Sequence, residues 1–202
     1  MYKKSLDEFS ALAFSKDPVP GGGGVSASAG ALAASLAGMV TNLTIGKKKY
    51  LEYTEELEKI KETAETLRVR LLEAINDDAN AFYPLSQAYS MDKESEGYAE
   101  TLEKCLKEAA RPPFMIMGYC ASVIDLDYRL ATIGSKLAVS DAGTSVSLAL
   151  GALKGAYLNV LVNTKLMKNK EVAEEIETKA HAILHEYEIK ANQTYEAVIK
   201  RL

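Results

Sequence analysis

Pro18-Val19-Pro20-Gly21-Gly22-Gly23-Gly24-Val25-Ser26-Ala27-Ser28-Ala29-Gly30 opens a stretch that runs from Asp17 to Lys47 without a single charged side chain. From Ser26 onward, residues four apart read Ser26, Gly30, Ala34, Gly38 and Asn42. A second run has the same character: Gly143, Ser147, Gly151, Gly155, Asn159 and Asn163, with Lys154 the one charge between Asp141 and Lys165. Small residues at helical spacing let two backbones approach closely. The two runs therefore predict a buried pair of smooth helices at the centre of an all-α protein that self-associates to cover them. Both exceed the ~18 apolar residues of a spanning segment, but Ser, Thr, Asn, Gly and Lys154 dilute them and no tryptophan belt flanks them. A soluble core is expected, not a membrane span.

The rest of the chain agrees. Apolar residues recur at three and four almost throughout, and few alternating β-branched runs interrupt them. The pattern predicts a short helix at Leu6–Phe14 and long ones at about Ser26–Ile45 and Lys48–Tyr89. Two more are expected at Tyr98–Ala110 and Phe114–Ile133, parted by Arg111-Pro112-Pro113 because proline cannot continue a helix. Gly134 caps the second of these. A helix capped by Ser140 or Asp141 then reaches about Thr164, and a last one begins near Glu171.

At 202 residues the chain suffices for one domain, residues 1–202, with a full core. A net charge of −4 argues against nucleic acid, which requires a basic face. Cys105 and Cys120 lack metal-ligand spacing, so no disulfide framework is expected and a reducing cytoplasm fits. No apolar leader follows Lys3 and Lys4.

Four sets of residues invite chemistry. The glycine run lacks the Gly-Lys-Ser/Thr of a phosphate loop, yet four glycines before a helix start would leave free N–H groups for a ligand. On Lys48–Tyr89, the apolar seam Leu57, Ile60, Ala64, Leu67, Leu71, Ala74, Phe82 demands an apolar residue at Asp78. A carboxylate there must be hydrogen-bonded, paired or protonated; Arg111 and Arg129 are the candidate partners. Ser140-Asp141-Ala142-Gly143 reads equally as a helix cap and as a carboxylate facing a ligand. His181 and His185 have metal-gripping spacing but lie off the seam of their helix, so no metal is expected.

Taken together these segments resemble the cyclodeaminase/methenyltetrahydrofolate cyclohydrolase family. The likeness rests on residues 18–27, on Met39 to Lys48, on Asp78-Ala79-Asn80-Ala81-Phe82, Ala109-Ala110-Arg111-Pro112-Pro113 and Ser140-Asp141-Ala142-Gly143, and on Gly155 to Val160 leading to Asn163. They cover nearly the whole chain in order. The chain departs from relatives at Asn76 and Ser135, and in having Gly24 as a fourth glycine.

The resemblance implies a cytoplasmic all-helical homodimer acting on one-carbon-substituted tetrahydrofolate, with no tightly bound cofactor. The expected reaction is hydrolysis of the methenyl bridge, with cyclodeamination of formimino-folate as the alternative and a folate-binding dimer without catalysis as the second. Catalytic candidates are Asp78 as acid/base, Asp141 as partner carboxylate and Lys47 as proton donor or carboxylate anchor. Substrate-binding candidates are Pro20, Gly21, Gly22, Gly23, Gly24, Ser26, Asn42, Ser140, Asn159 and Asn163.

Overall fold

A computed structural model describes residue 1 and residues 3–202, and within them every regular element is helical. Six α-helices follow one another: α1 Leu6–Phe14, α2 Gly22–Asn42, α3 Thr54–Tyr89, α4 Tyr98–Ile133, α5 Val139–Thr164 and α6 Lys170–Ile199. Short 3-10 turns, Lys48–Tyr53 and Lys136–Ala138, precede α3 and α5.

The small residues do what their spacing predicts at the α2–α5 contact. A Cβ on Gly22 would lie 2.8 Å from Asn159 Nδ2, one on Gly155 would strike Ser26 Oγ, and Ser145 Oγ donates to the Ala33 carbonyl at 2.8 Å. These pairings run in opposite chain directions, so α2 and α5 are antiparallel. Along its other side α2 lies antiparallel to α3, where Gly30 admits Leu71 and Gly38 admits Ala64. The long helix α4 closes the back, reaching α2 at Gly30 through Cys120 and α3 through an Arg129–Glu56 ion pair at 2.6 Å. Burial pushes the Cys120 thiol up to about 12. Helix α6 covers α4 and α5, and Lys154, the lone charge of the apolar run, pairs with Glu188 on it. One large apolar cluster joins α2, α3, α4, α5 and α6, with a second around Val40, Leu57 and Leu130.

Four expectations change. The glycine run is not a loop: only Gly21 is outside, capping α2, and Gly22–Gly24 form its first turn. Ser140 and Asp141 sit inside the first turn of α5 behind Ala138, and neither caps it. The Tyr98–Ala110 and Phe114–Ile133 helices are one helix with Pro112 and Pro113 inside it. Proline 113 has no N–H for the carbonyl of Ala109, four residues back. Asn163 Nδ2 of α5 donates to that carbonyl instead, at 3.3 Å, so a neighbouring helix supplies the missing bond.

The fourth change concerns burial. The α2 stripe is buried at Ser26, Gly30 and Ala34, but on α5 Ser147 and Gly151 face outward. Both apolar helical stretches, Gly22–Asn42 and Lys136–Thr164, are long and apolar enough to cross a membrane, and 56% and 39% of their windows are buried in the fold. Helix α1 has a complete capping box, Ser5 with Glu8, yet buries no residue.

Candidate active site

The first turn of α2 has no side-chain cap of its own. Its first intrahelical donor is Val25, bonded to the Gly21 carbonyl at 3.0 Å, so the N–H groups of Gly22, Gly23 and Gly24 have no helical acceptor. The carboxylate of Asp78, reaching across from α3, lies beside this turn, close enough to the Gly24 N–H for that dipole to favour its charged form. It lies so close to Gly23 that an added Cβ there would meet its Oδ1, with Cγ at only 2.6 Å. Glycine is required at position 23 because nothing larger leaves room for this carboxylate.

Two opposing influences act on Asp78. Burial disfavours its charged form, while the Gly24 N–H favours it; burial dominates, and the carboxyl is pushed above the usual carboxylate range. No ion pair engages it among the described residues: Arg129 is taken by Glu56, and Arg111 lines a separate cavity with Asp77 and Asn80 on another face of α3. The expected arginine partner is therefore not there. The result is a carboxyl that changes protonation nearer neutrality, with no cation to hold it ionised.

Asp78 opens onto a cavity of about 280 Å³. Pro18, Val19 and Gly21 form one rim, Phe82, Leu85 and Tyr89 of α3 form a wall, and Asn159, Val162 and Asn163 of α5 form the other with Ala109 of α4. The Val19–Pro20 peptide is cis, and Pro20 is buried against Gly24. Ser26 is also buried, one turn in, against Gly155. Pro20, Gly21, Gly22, Gly23, Gly24, Ser26, Asp78, Asn159 and Asn163 are thus gathered at one end of the α2–α5 pair.

The remaining candidates gather at the other end. Helix α2 is 21 residues long, or about 31 Å at 1.5 Å per residue. Lys47 lies beyond its C-terminus, where Nζ donates to Ser135 Oγ at 2.8 Å. Asn42 is exposed in its last turn. Ser140 and Asp141 start α5, which runs antiparallel, so they lie at this far end too. Within one chain, Asp141 and Lys47 are not at the Asp78 cavity, which corrects the reading of all three as one constellation.

A third acidic site was not foreseen. Asp127 of α4 is fully buried, its Oδ2 is 2.7 Å from Ser145 Oγ, and its Oδ1 has no hydrogen-bond partner. Burial pushes this carboxyl well above its ordinary range. Ser145 has one hydroxyl proton and two oxygens within reach, Asp127 Oδ2 and the Ala33 carbonyl. Both contacts are satisfied when the acid is protonated and donates to Ser145, which donates to Ala33. The signal was in the sequence: Asp127 falls on the α4 seam Ile116, Cys120, Ile124, Ala131, just as Asp78 falls on that of α3.

His181 and His185 are exposed and stack on each other, 6.4 Å between ring centres. No group of three or more His, Cys, Asp or Glu is placed to hold a metal ion among the described residues.

Comparison with known proteins meets this geometry. A sequence model described as formiminotransferase-cyclodeaminase matches residues 5–182. A methenyltetrahydrofolate cyclohydrolase of Methylorubrum extorquens is 39% identical over 188 residues, covering 91% of this chain and 90% of that protein. A formimidoyltransferase-cyclodeaminase of Mus musculus is 26% identical over 180 residues; the match takes in 87% of this chain but 33% of the mouse protein. The crystal structure of formiminotetrahydrofolate cyclodeaminase from Thermotoga maritima superposes with a TM-score of 0.85 at 32% identity, over 99% of this chain and 96% of that one.

Proposed function

We propose, for a chain that belongs to the formiminotransferase-cyclodeaminase family, that it is an enzyme hydrolysing 5,10-methenyltetrahydrofolate to 10-formyltetrahydrofolate at the Asp78 cavity. The likeness to the Methylorubrum cyclohydrolase along nearly the whole of both chains supports the reaction. The observation that carries the site is Asp78 itself, a half-buried carboxyl without a cation partner, seated on a glycine turn and facing a cavity.

The methenyl carbon lies between N5 and N10 in a cationic amidinium and is already electrophilic. Water adds to it as Asp78 takes the water proton, forming a neutral tetrahedral carbon. The C–N5 bond then breaks as protonated Asp78 returns the proton to N5, and the hydroxyl on the tetrahedral carbon releases its remaining proton to solvent as its C–O bond becomes the formyl carbonyl on N10. A base that must also act as an acid works best with a pKa near the operating pH, the direction in which burial moves Asp78. Ionised Asp78 also stabilises the bound cation. Since the substrate carries its own positive charge, the step requires no metal and no bound cofactor.

Cyclodeamination passes through the same tetrahedral carbon with ammonia as leaving group, and the Thermotoga neighbour supports it as the second reading. Loss of the methenyl chromophore, measured beside ammonia release from formimino-folate, separates the two. Saturable folate binding with neither change overturns both and leaves a binding protein.

The partner in this reading is a second copy. Val25, Leu32, Met39 and Leu43 are exposed along α2, and Leu158 and Val162 of α5 are exposed at its glycine end, apolar surface of the kind soluble proteins cover. A two-fold axis perpendicular to α2 near its midpoint would set the glycine end of one chain against the Lys47 and Asp141 end of the other. An equimolar mixture of Asp78→Asn and Asp141→Asn chains that exchange freely then regains roughly a quarter of parent activity if one site draws on both chains, because half of the dimers are mixed and each of these has one intact site; no recovery confines the site to one chain. Two unpaired cysteines support a reducing cytoplasm as its location.

A further inference from the structure

We infer that the cavity beside Asp78 seats the pterin ring of the substrate, and that Asn159 and Asn163 select it by accepting hydrogen bonds from its 2-amino-pyrimidinone edge. This rests on the folate reading above and adds the orientation of the substrate.

Backbone carbonyls fix the orientation of both amides. Asn159 Nδ2 donates to the Gly155 carbonyl at 2.8 Å. Asn163 Nδ2 donates to the Asn159 carbonyl at 2.8 Å and to the Ala109 carbonyl at 3.3 Å. A carbonyl only accepts, so each contact fixes which end of the amide is nitrogen. Both N–H groups of Asn163 are committed to backbone. No donor among the described residues engages either Oδ1, and both residues line the cavity. With Asp78 added, three side chains on this lining present acceptors, and the donors beside them are the Tyr89 hydroxyl, the second N–H of Asn159 and the free N–H groups of the glycine turn.

An acceptor wall recognises a ligand edge that presents adjacent donors. In folate the 2-amino group and N3–H are such an edge, on a flat ring suited to the apolar wall of Phe82 and Leu85. A cavity near 280 Å³ falls short of the roughly 300–1,000 Å³ that encloses a whole drug-sized ligand. It takes the bicyclic ring and leaves the remainder of folate outside. Polarity follows from position on α5: Asn163 stands one turn, about 5.4 Å, beyond Asn159, which contacts Gly22 next to the Gly23–Asp78 contact. Placing the amino edge at the asparagines directs the opposite edge, which carries the one-carbon bridge, toward Asp78.

The test is binding without turnover. Free pterin and lumazine, its analogue with a 2-carbonyl in place of the 2-amino group, are titrated by their own fluorescence against the parent, Asp78→Asn, Asn159→Leu and Asn163→Leu, each checked for native helicity by circular dichroism. A site built to hydrogen-bond an amino group rejects the analogue that lacks it. The parent and Asp78→Asn are expected to bind pterin at least tenfold more tightly than lumazine, and the asparagine variants to lose that preference. Equal affinity in the parent overturns the inference, and so does a preference that vanishes only in Asp78→Asn, since Asp78 would then be the anchor. Pterin selection by a protein that does not turn over methenyl-folate refutes the reaction and retains the orientation; turnover without pterin selection does the reverse.

Discussion

Asp78 and Asp127 are the same kind of residue in the same kind of place, a carboxyl interrupting an apolar helical seam, and burial raises both. They differ in what stands beside them. Asp78 faces a cavity across a turn of glycines, whereas Asp127 is sealed among α2, α4 and α5 with Ser145 as its one bonded partner. An acid that exchanges its proton with a ligand must be reachable, so the first can do chemistry and the second can only shape stability. Perturbed acidity marks both; access separates them.

The comparison breaks most sharply at Asp78→Asn. An acid/base contributes typically 10²–10⁴-fold, so turnover of methenyl-folate should fall by about that factor while circular dichroism and melting stay near the parent's; retained turnover removes Asp78 from the mechanism. Gly23→Ala should follow, because its Cβ must displace the carboxylate. We expect activity to fall by at least roughly tenfold, given how steeply rates respond to ~1 Å misplacements.

The pH dependence sharpens the contrast. A base must be ionised to accept the water proton, so kcat/KM at Asp78 should climb with pH through a value above the ordinary ~3.9 of an aspartate. Asp127→Asn should leave that profile unmoved and act on stability instead. The folded state favours protonated Asp127, so the stability this group contributes is full below about pH 4 and is lost as pH rises toward its raised pKa. Asparagine does not titrate. Chemical denaturation should therefore show the variant gaining on the parent by up to about 1.4 kcal/mol per pH unit above ~4; a constant difference across pH would mean Asp127 is not held neutral. The smallest effect expected is that of exhaustive dialysis against a chelator, which should leave turnover unchanged.

Much of the fold is legible in the sequence because helical periodicity and small-residue spacing are local. Leu6–Phe14 is placed to the residue, and the seam of α3 is buried from Leu57 through Ala74. What escapes a reading of the chain is supplied from elsewhere in space. Pro112-Pro113 looks like a break because the donor that mends it belongs to α5. The glycine run looks like a loop because the carboxylate that sits against it comes from α3. The far-end placement of Lys47 and Asp141 follows only once α2 and α5 are known to run antiparallel. Asp127 is a different case, since the seam argument that exposed Asp78 applies to it unchanged.

The bond from Asn163 to Ala109 also bears on how the molecule assembles. Prolines 112 and 113 deprive the carbonyls of Glu108 and Ala109 of their helical donors, so an isolated α4 lacks two rungs at its middle and bends there easily. Satisfying the Ala109 carbonyl requires α5 to be docked, with Asn163 in register. The continuity of one of the two longest helices of the fold is then completed from outside it, by a residue of the helix that lines the substrate cavity.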